Sequence, residues 1–310
     1  MSQWTCSSCT YASNIPARTL CEICNEPRTK VPKAAEVPVE NKQSEERKDE
    51  HPASQGGSVL AKEFNPAIHH PASVKRRRKH WLPLESNPDL MNEYIWRLGV
   101  SHAFQFHEIL SPELLDMVPQ PVYAVLCLFP ISEVSEKHKA DEAVAIAKNG
   151  QVCDKDLYFT KQTIGNACGT VGLVHAILNN AKTLQLDNSK FFAKFLADTI
   201  KASPEERAKL LEDNDDIEVE HQAVATHAEA KSDVSHEVPL VNANLHFNAF
   251  VCVEGHLYEL DGRKATAINH GKSSQANLLK DAVKVIQGFM ARDPKDIRFN
   301  MVALGKRVDD

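Results

Sequence analysis

The sequence KQTIGNACGT, residues 161–170, is followed by the apolar run VGLVHAIL, residues 171–178. Gly165 and Asn166 favour a turn, and the apolar residues behind them recur at helical spacing. The stretch therefore predicts an extended segment, a tight turn and a helix with Cys168 in its first turn. The unpaired amides and the positive dipole end of such a turn favour a thiolate over a thiol. Gln162, on the extended segment, can place an amide donor beside the sulfur, which is typical of one half of a cysteine hydrolase site.

A predicted β-hairpin supplies a candidate base. The apolar runs 245–253 and 256–260 are separated by a Glu-Gly pair, which has the chemistry of a hairpin turn. Counting back from that turn makes His246 and Asp261 diagonal neighbours on one face of the sheet. A carboxylate would fix the tautomer of the histidine and stabilise its cation, which is the other half of a cysteine hydrolase site. Taken singly, Cys168 could be a small helix-packing residue and His246 an ordinary strand histidine; taken together, they favour a hydrolase.

The composition limits the class of protein. The chain has 310 residues and a net charge of −6, and 42% of its residues are apolar, which is typical of a soluble globular protein with a sizeable core. No apolar run approaches the roughly 18 residues of a membrane-spanning helix, and the N-terminus does not resemble a signal peptide, so we expect no membrane partner. Residues 1–80 hold 13 Lys and Arg against 9 Asp and Glu, whereas residues 81–310 hold 23 against 33. The C-terminal part should attract a basic protein surface and repel nucleic acid.

Four of the eight cysteines form two Cys-x-x-Cys pairs near the N-terminus, separated by eleven residues. Such pairs can hold one tetrahedral zinc ion, and a segment of about thirty residues needs the metal to fold. The predicted zinc ligands are Cys6, Cys9, Cys21 and Cys24. A redox role is the alternative, but two pairs this close in a turn-rich segment favour structural Zn²⁺. The other cysteines are scattered, which suits a reducing compartment.

Residues 3–28 resemble the Ran-binding-protein-2-type zinc finger in its ubiquitin-binding subtype. Trp4, two residues before the first cysteine, and Asn14, between the two pairs, fit the pattern of that family. The resemblance implies a group of side chains that dock on the apolar patch of ubiquitin, namely Thr10, Tyr11 and Ile23. The aromatic position of this group is more usually Phe. The RNA-binding subtype needs an arginine cluster, and because only Arg18 and Arg28 are present, RNA ranks behind ubiquitin as a partner.

Residues 31–79 separate the finger at residues 1–30 from a globular domain at residues 80–306. They are rich in Pro, Ala, Glu, Lys and Ser and poor in large apolar residues, which predicts a disordered linker. The linker ends in the basic run Lys75–Lys79, a pattern typical of a nuclear import signal and equally of a solvated charge run. We expect a cytoplasmic protein that would also enter the nucleus if this basic run is an import signal.

The pattern of residues 80–306 predicts a mixed α+β domain. Helices are expected at 87–99, from 111, over part of 133–148, at 168–178, at 190–200, from 203 and at 274–292. Strands are expected at 121–129, 245–253, 256–260 and 298–304, and the first of them should be buried and central. Residues 213–241, which are polar with scattered His and Ala, are expected to form a long surface loop.

Residues 81–304 resemble the ubiquitin C-terminal hydrolases of the short, single-domain, isozyme-L3 type throughout their length. The matching motifs are Trp81–Glu85, Met117–Pro119, Lys161–Gly172, Leu245–Phe247 and Gly255–Arg263. The resemblance implies the fold of that family, an α+β (mixed α/β) arrangement in which an antiparallel sheet lies between helices. It also implies a papain-like cysteine protease site and a knotted chain path.

The resemblance assigns a role to each candidate residue. Cys168 would be the nucleophile, His246 the general base and acid, and Asp261 the residue that orients the histidine. Gln162 would stabilise the oxyanion together with the backbone amide of Cys168. Thiol catalysis of this kind needs no cofactor. His175 lies two helical turns beyond Cys168, too far for proton transfer to the sulfur, and is expected to be structural.

The implied activity is the removal of small adducts or peptides from the C-terminal glycine of ubiquitin. Leu84 and Glu85 would contact ubiquitin, and residues 213–241 would be a crossover loop that screens leaving groups by size. The finger and the linker are a departure from the short members of the family and would add a second ubiquitin-binding unit. Processing of a related modifier such as Nedd8, and ubiquitin binding without catalysis, are the alternatives that the sequence leaves open.

Overall fold

The structure is a computed structural model that describes residues 79–231 and 244–308. These residues belong to one compact unit. The predicted finger, the linker up to residue 78 and residues 232–243 lie outside the described residues. The predicted zinc ligands and finger contacts therefore have no structural description, namely Cys6, Cys9, Cys21, Cys24, Thr10, Tyr11 and Ile23.

A six-stranded sheet organises the described residues. Its strands are β1 (Phe104–Glu108), β2 (Val122–Pro130), β3 (Leu245–Val253), β4 (His256–Leu260), β5 (Ile268–Lys272) and β6 (Asn300–Lys306). They lie in the order β1-β6-β2-β3-β4-β5, and each neighbouring pair is antiparallel. The predicted central strand is β2, between β6 and β3. The expected α+β arrangement on an antiparallel sheet is confirmed.

Helices cover both faces of this sheet. Those in the described residues are α1 (Pro88–Arg97), α2 (Glu133–Asn149), α3 (Cys168–Leu178), α4 (Phe191–Thr199), α5 (Pro204–Glu212), α6 (Asp215–Lys231) and α7 (Leu278–Arg292). The helix α3 packs on β2 and β3 from one side, and α7 packs on β2, β3 and β4 from the other. Of the helices in residues 79–231 and 244–308, none combines the length and the apolar character that crossing a bilayer requires.

The strand β2 is buried on both faces because its alternate side chains enter two separate cores. Ala124 and Leu126 pack with residues of α1, α3 and α4, whereas Val125 and Cys127 pack with residues of α7. All four side chains are fully buried. Complete burial of a Leu or Val side chain contributes roughly 1.5–3 kcal/mol, so this strand anchors the fold. Cys127 is a packing residue of the core on the α7 side.

Local sequence signals begin two helices at the predicted positions. The side chain of Asn87 accepts hydrogen bonds from two backbone amides in the first turn of α1. Ser203 and Glu206 form a capping box at the start of α5, the helix expected from residue 203. Caps of this kind contribute about 1 kcal/mol each. The short helix expected from Ser111 is reduced to a single 3₁₀ turn at Leu115–Met117.

The predicted surface loop at 213–241 is wrong for most of its length. Residues 215–231 form α6, in which Ile217, His221 and Val224 are buried. Their spacing of four and three residues marks a helical face. The pattern is weak in the sequence because one of its positions is a histidine and because the apolar Val219 lies on the exposed side of the helix. The remaining residues of the expected loop, from 232 onwards, are not described. The strands β1 and β5 were not predicted.

Candidate active site

The helix α3 begins at Cys168, as predicted, and the turn before it is held by residues 79–86, here called the arm. Asn166 has a φ of 59°, in the left-handed region that asparagine tolerates better than most residues. The amide of Trp81 donates to the carbonyl of Gly165 at 2.9 Å, and the amide of Gly165 donates back to the arm at 3.0 Å. A Cβ on Gly165 would overlap the ring of His80, so only glycine permits this approach.

The sulfur of Cys168 lies among hydrogen-bond donors. Burial by itself would raise the pKa of the thiol. The hydrogen bond and the charge of His246 act against burial, and the backbone amides of Phe247 and Gly169 also hydrogen-bond the sulfur. The net result is a pKa below the ordinary value of a cysteine, so the thiolate is favoured. One supporting amide comes from the first turn of α3 and the other from β3.

His246, near the start of β3, meets Asp261, just after the end of β4. The two strands pair in the predicted register, and Nε2 of His246 lies 2.6 Å from Oδ1 of Asp261. Both residues are only 2% exposed. Because Nε2 is engaged by the carboxylate, Nδ1 is the nitrogen left for the sulfur of Cys168. The carboxylate is fixed in turn, since its Oδ1 also accepts from the amide of Arg263 at 2.8 Å.

The histidine and the carboxylate are both charged at neutral pH. Burial would lower the pKa of His246, but the charge and hydrogen bond of Asp261, with those of Cys168, raise it to about 9. Burial would raise the pKa of Asp261, but the charge and hydrogen bond of His246 and the Arg263 amide hold it well below its usual range. The geometry therefore favours a thiolate, an imidazolium and a carboxylate in a row.

Gln162 lies on the segment that runs beside the Asp261 turn. Its backbone amide donates to the carbonyl of Gly262 at 3.0 Å, and a Cβ on Gly262 would lie 2.9 Å from both Cβ of Gln162 and Cγ1 of Val171. The side-chain amide of Gln162 donates to the carbonyl of Ile164 at 3.1 Å. A side-chain amide has two N–H donors, so one remains for an oxyanion. Gln162 is thus placed at the site, with its amide nitrogen partly engaged by the turn ahead of the cysteine.

The two predicted ubiquitin contacts on the arm differ in exposure. Leu84 is 5% exposed and packs on Gly169, where an added Cβ would lie 2.8 Å from the Cβ of Leu84. Leu84 therefore belongs to the core and offers little surface to a partner. Glu85 is half-buried, and burial raises the pKa of its carboxyl group. Of the two residues, Glu85 is the one whose side chain a bound protein can reach.

Two further residues near the site have roles of different kinds. His175 is fully buried, stacks on Phe159 with ring centroids 5.3 Å apart, and accepts a hydrogen bond from the amide of Thr160 at 3.0 Å. Burial lowers its pKa to about 4, so the ring is neutral, in keeping with the expected structural role.

Phe247 was not singled out from the sequence. Its contribution is a backbone amide, and no pattern of residue types reveals one.

The metal site predicted from the sequence belongs to the N-terminal segment alone. Its four cysteines precede the first described residue. Within residues 79–231 and 244–308, no group of three or more His, Cys, Asp or Glu side chains is arranged to hold a metal ion.

Comparison with known proteins gives sequence relatives along most of this unit. A probable ubiquitin carboxyl-terminal hydrolase of Dictyostelium discoideum is 44% identical over 235 residues, which cover 75% of this chain and 91% of the relative. Ubiquitin carboxyl-terminal hydrolase 3 of Arabidopsis thaliana is 44% identical over 242 residues, covering 76% and 99%. Ubiquitin carboxyl-terminal hydrolase isozyme L1 of Homo sapiens is 42% identical over 226 residues, covering 72% and 97%.

A solved structure and a family model agree with these relatives. The crystal structure of the Trichinella spiralis UCH37 catalytic domain bound to ubiquitin vinyl methyl ester superposes with a TM-score of 0.57. It covers 74% of this chain and 96% of that chain at 22% identity, a likeness that bears on the fold. The model of the family described as ubiquitin carboxyl-terminal hydrolase, family 1, matches residues 81–291. From this match and the relatives we conclude that the chain belongs to family 1 of the ubiquitin carboxyl-terminal hydrolases.

Proposed function

We propose that Cys168 is the nucleophile, His246 the general acid and base, and Asp261 the orienting carboxylate of this cysteine-type ubiquitin hydrolase. The observation that carries the assignment is the position of His246, whose ring contacts both the carboxylate and the sulfur. An imidazole held between the two can give and take a proton without turning.

The reaction then proceeds in two stages. The thiolate of Cys168 attacks the carbonyl carbon of the terminal glycine of ubiquitin, and the imidazolium of His246 gives its proton to the departing amine as the bond to it breaks. The ubiquitin remains as a thioester on the sulfur. Neutral His246 next takes a proton from water as the water attacks the thioester. Release of the ubiquitin carboxylate restores the thiolate and the imidazolium.

We assign the oxyanion of both stages to the backbone amide of Cys168 and the side-chain amide of Gln162. The free N–H of Gln162 supports this assignment, as does the first-turn position of Cys168, whose amide has no partner within the helix. Loss of one such donor costs about 10²- to 10³-fold in rate in other hydrolases.

The substrate class that we propose is ubiquitin carrying a small adduct or a peptide at its C-terminal glycine, as in the short isozyme-L3 type of the family. The solved relative from Trichinella spiralis holds a ubiquitin derivative, ubiquitin vinyl methyl ester, which supports ubiquitin as the partner. On this chain, Glu85 and the acidic excess of residues 81–310 would receive the basic tail of ubiquitin. Nedd8 shares the Gly-Gly terminus and is tested together with ubiquitin below.

The N-terminal segment would add a second ubiquitin-binding unit. We propose a zinc ion held by Cys6, Cys9, Cys21 and Cys24, with ubiquitin contacts from the finger. If the segment of about 50 residues is disordered, as its sequence predicts, it would span roughly 35–45 Å root-mean-square, and one ubiquitin conjugate would then be able to reach both units. The run Lys75–Lys79 would serve nuclear import, although its last residue also forms an ion pair with Glu218 at 2.6 Å.

Labelling with electrophiles built on the tails of ubiquitin and Nedd8 tests the assignment. We expect a covalent adduct with the ubiquitin probe on Cys168, absent in Cys168→Ala. The matched control is Cys252→Ala, which removes another half-buried cysteine whose pKa is raised by burial, and it should label normally. Labelling that survives Cys168→Ala would disprove the nucleophile. Labelling by the Nedd8 probe alone would move the substrate to Nedd8, and binding without labelling by either probe would make the chain a non-catalytic ubiquitin binder.

A further inference from the structure

His221 is a buried histidine on α6 that takes no part in the chemistry described above. Its side chain is fully buried and yet makes two short hydrogen bonds. Nε2 lies 2.7 Å from the carbonyl oxygen of Leu82, and Nδ1 lies 2.7 Å from the hydroxyl of Thr170. The ring also rests 4.5 Å from the ring of Trp81. A polar ring in such a place is fully satisfied only because both nitrogens have partners.

The chemistry of the partners fixes the direction of every hydrogen bond. A carbonyl only accepts, so Nε2 of His221 must carry the proton and donate to Leu82. Burial lowers the pKa of His221, so the ring is neutral and Nδ1 is an acceptor. The hydroxyl of Thr170 therefore donates to Nδ1, which leaves its oxygen free to accept from the hydroxyl of Tyr94, 3.1 Å away. The result is a row of hydrogen bonds that all donate in the same direction, from Tyr94 through Thr170 and His221 to Leu82. It joins α1, α3, α6 and the arm.

One partner of His221 lies beside the nucleophile, and the other lies on the segment that is proposed to contact ubiquitin. Thr170 lies two residues after Cys168, in the first turn of α3, so its position sets the position of the nucleophile. Leu82 lies on the arm that carries Glu85, and the arm packs on α3 directly through Leu84 and Gly169. A displacement of His221 along its ring plane would therefore move the nucleophile and the arm relative to each other. Small displacements of this kind are costly in catalysis, because the reacting groups must lie in near-attack geometry.

We propose that His221 is a positioning residue that holds the helix of Cys168 and the ubiquitin-contacting arm in one fixed relation. Its Nδ1 bond to Thr170 sets the nucleophile, and its Nε2 bond to Leu82 sets the arm. The part that concerns the arm rests on the proposed contact of Glu85 with ubiquitin. The part that concerns Cys168 is independent of any substrate. This division makes the two hydrogen bonds separable by experiment.

Two substitutions each retain one of the bonds. His221→Asn places an amide oxygen near the position of Nδ1, so it keeps the bond to Thr170 and loses the bond to Leu82. His221→Gln reaches to the position of Nε2 with an amide nitrogen, so it keeps the bond to Leu82 and loses the bond to Thr170. Both are made in the full chain, and active sites are counted with the ubiquitin-tail electrophile. The readouts are kcat and KM on a fluorogenic C-terminal amide of ubiquitin and the rate of alkylation of Cys168 by iodoacetamide, followed by mass spectrometry.

The expected result is a split between the two variants. His221→Asn should raise KM about tenfold and leave kcat and the alkylation rate within about twofold of the parent. Only the anchor at Leu82 is lost, because the backbone bonds of Lys79 and Trp81 to Gly165 still hold the turn before Cys168. His221→Gln should lower kcat and the alkylation rate about tenfold and leave KM within about twofold, because only α3 is released. The matched control is His227→Gln on the exposed side of the same helix, which should leave all three values unchanged.

A purely structural role for His221 predicts something different. Both variants would then show a lower melting temperature, with kcat, KM and alkylation per active site equal to those of the parent, and the proposal would be wrong. It would also be wrong if both variants lost kcat and KM to the same extent, without a split. If the parent protein itself does not hydrolyse the ubiquitin amide, the proposed function fails, while the alkylation rates still decide whether His221 positions Cys168.

Discussion

His246 is a buried imidazole whose proton is stabilised by two neighbours. Burial alone would lower its pKa, yet Asp261 and Cys168 together raise it to about 9. Each unit of such a shift corresponds to about 1.4 kcal/mol of difference between the two protonation states. The protonated ring therefore stabilises the folded chain fully below the ordinary pKa of histidine, and that stabilisation is lost as the pH rises through about 9.

The same proton predicts the pH dependence of the reaction. We expect kcat/KM to rise as Cys168 ionises, at a pH below that of an ordinary thiol, and to fall again as the pH passes about 9, where His246 loses its proton. Asp261→Asn removes the charge that does most to raise the pKa of His246. The falling limb should therefore move to lower pH, and kcat/KM should drop on the order of 10²- to 10⁴-fold. The measurement is the pH profile of kcat/KM on the ubiquitin amide.

The control for this variant is Asp187→Asn, which removes an exposed carboxylate that is hydrogen-bonded to the backbone amide and the hydroxyl of Ser189. It should leave the profile unchanged. A falling limb that stays at the same pH in Asp261→Asn would mean that the carboxylate does not set the pKa of the histidine.

The sequence predicted those site residues that act through a side chain and whose position follows from the strand register. Counting back from the hairpin turn placed His246 beside Asp261, and the structure joins them at 2.6 Å. The amide of Phe247 could not be foreseen in this way, because a backbone donor has no signature in residue type. Nor could the sequence show that the amide nitrogen of Gln162 donates to Ile164, since that bond depends on how the turn closes.

At the scale of elements, a buried charge cluster joins three strands and α2. Glu259 of β4 is 1% exposed. It accepts from Nδ2 of Asn248 on β3 at 3.1 Å and from Nε2 of His270 on β5 at 3.0 Å. Nζ of Lys264 lies 2.7 Å from Glu259 and 2.7 Å from Glu142 on α2. Burial would raise the pKa of Glu259, but Lys264 and His270 lower it to about 2.

We predict that Glu259→Gln lowers the free energy of unfolding by about 3 kcal/mol, the low end for removal of one partner from a buried pair, because Lys264 keeps its contact with Glu142. The carboxylate contributes stability above the ordinary pKa of glutamate, and that contribution is lost as the pH falls through about 2. The difference between parent and variant should therefore shrink in acid. Urea unfolding at several pH values measures both effects.

The matched control is Glu136→Gln on α2, whose ion pair with Arg263 at 3.0 Å is partly exposed on both sides. Pairs of that kind are worth about 0–1 kcal/mol, so the variant should unfold almost as the parent does. Equal losses for the two variants would show that burial does not strengthen the Glu259 cluster.

Elements with a long apolar pattern or a clear turn or cap signal were predicted, whereas the short or mixed elements β1, β5 and α6 were not. The strand β5 has a single buried residue, Ile268, and lies at the edge of the sheet, so it carries no alternation to detect. The strand β1 does alternate, with Phe104 and Phe106 buried, but five residues give a weak signal. The helix α6 was taken for a loop because its buried face includes His221, which a polarity count places on the outside.

At the scale of the whole molecule, the chain combines a unit that carries the entire candidate catalytic set with a segment of opposite charge balance. The residues of that set lie between 162 and 261, within the range matched by the family model. The N-terminal 80 residues hold 13 basic against 9 acidic side chains, and the remainder 23 against 33. Catalysis on a small adduct should therefore need only the second part, whereas capture of a larger conjugate would draw on both.

We predict that Cys6→Ser combined with Cys9→Ser in the full chain removes one zinc ion per molecule, as measured by atomic emission, because two thiolates cannot complete a tetrahedral site. Turnover of the small ubiquitin amide should stay within about twofold of the parent, and KM for a ubiquitin conjugate that can occupy both units should rise about tenfold or more through loss of effective concentration. The control is Cys153→Ser, an exposed cysteine of the described unit, which should keep the zinc and both KM values. Loss of zinc without any change in KM for the conjugate would show that the finger binds metal but does not recruit substrate, and zinc retained in the double variant would disprove the metal site itself.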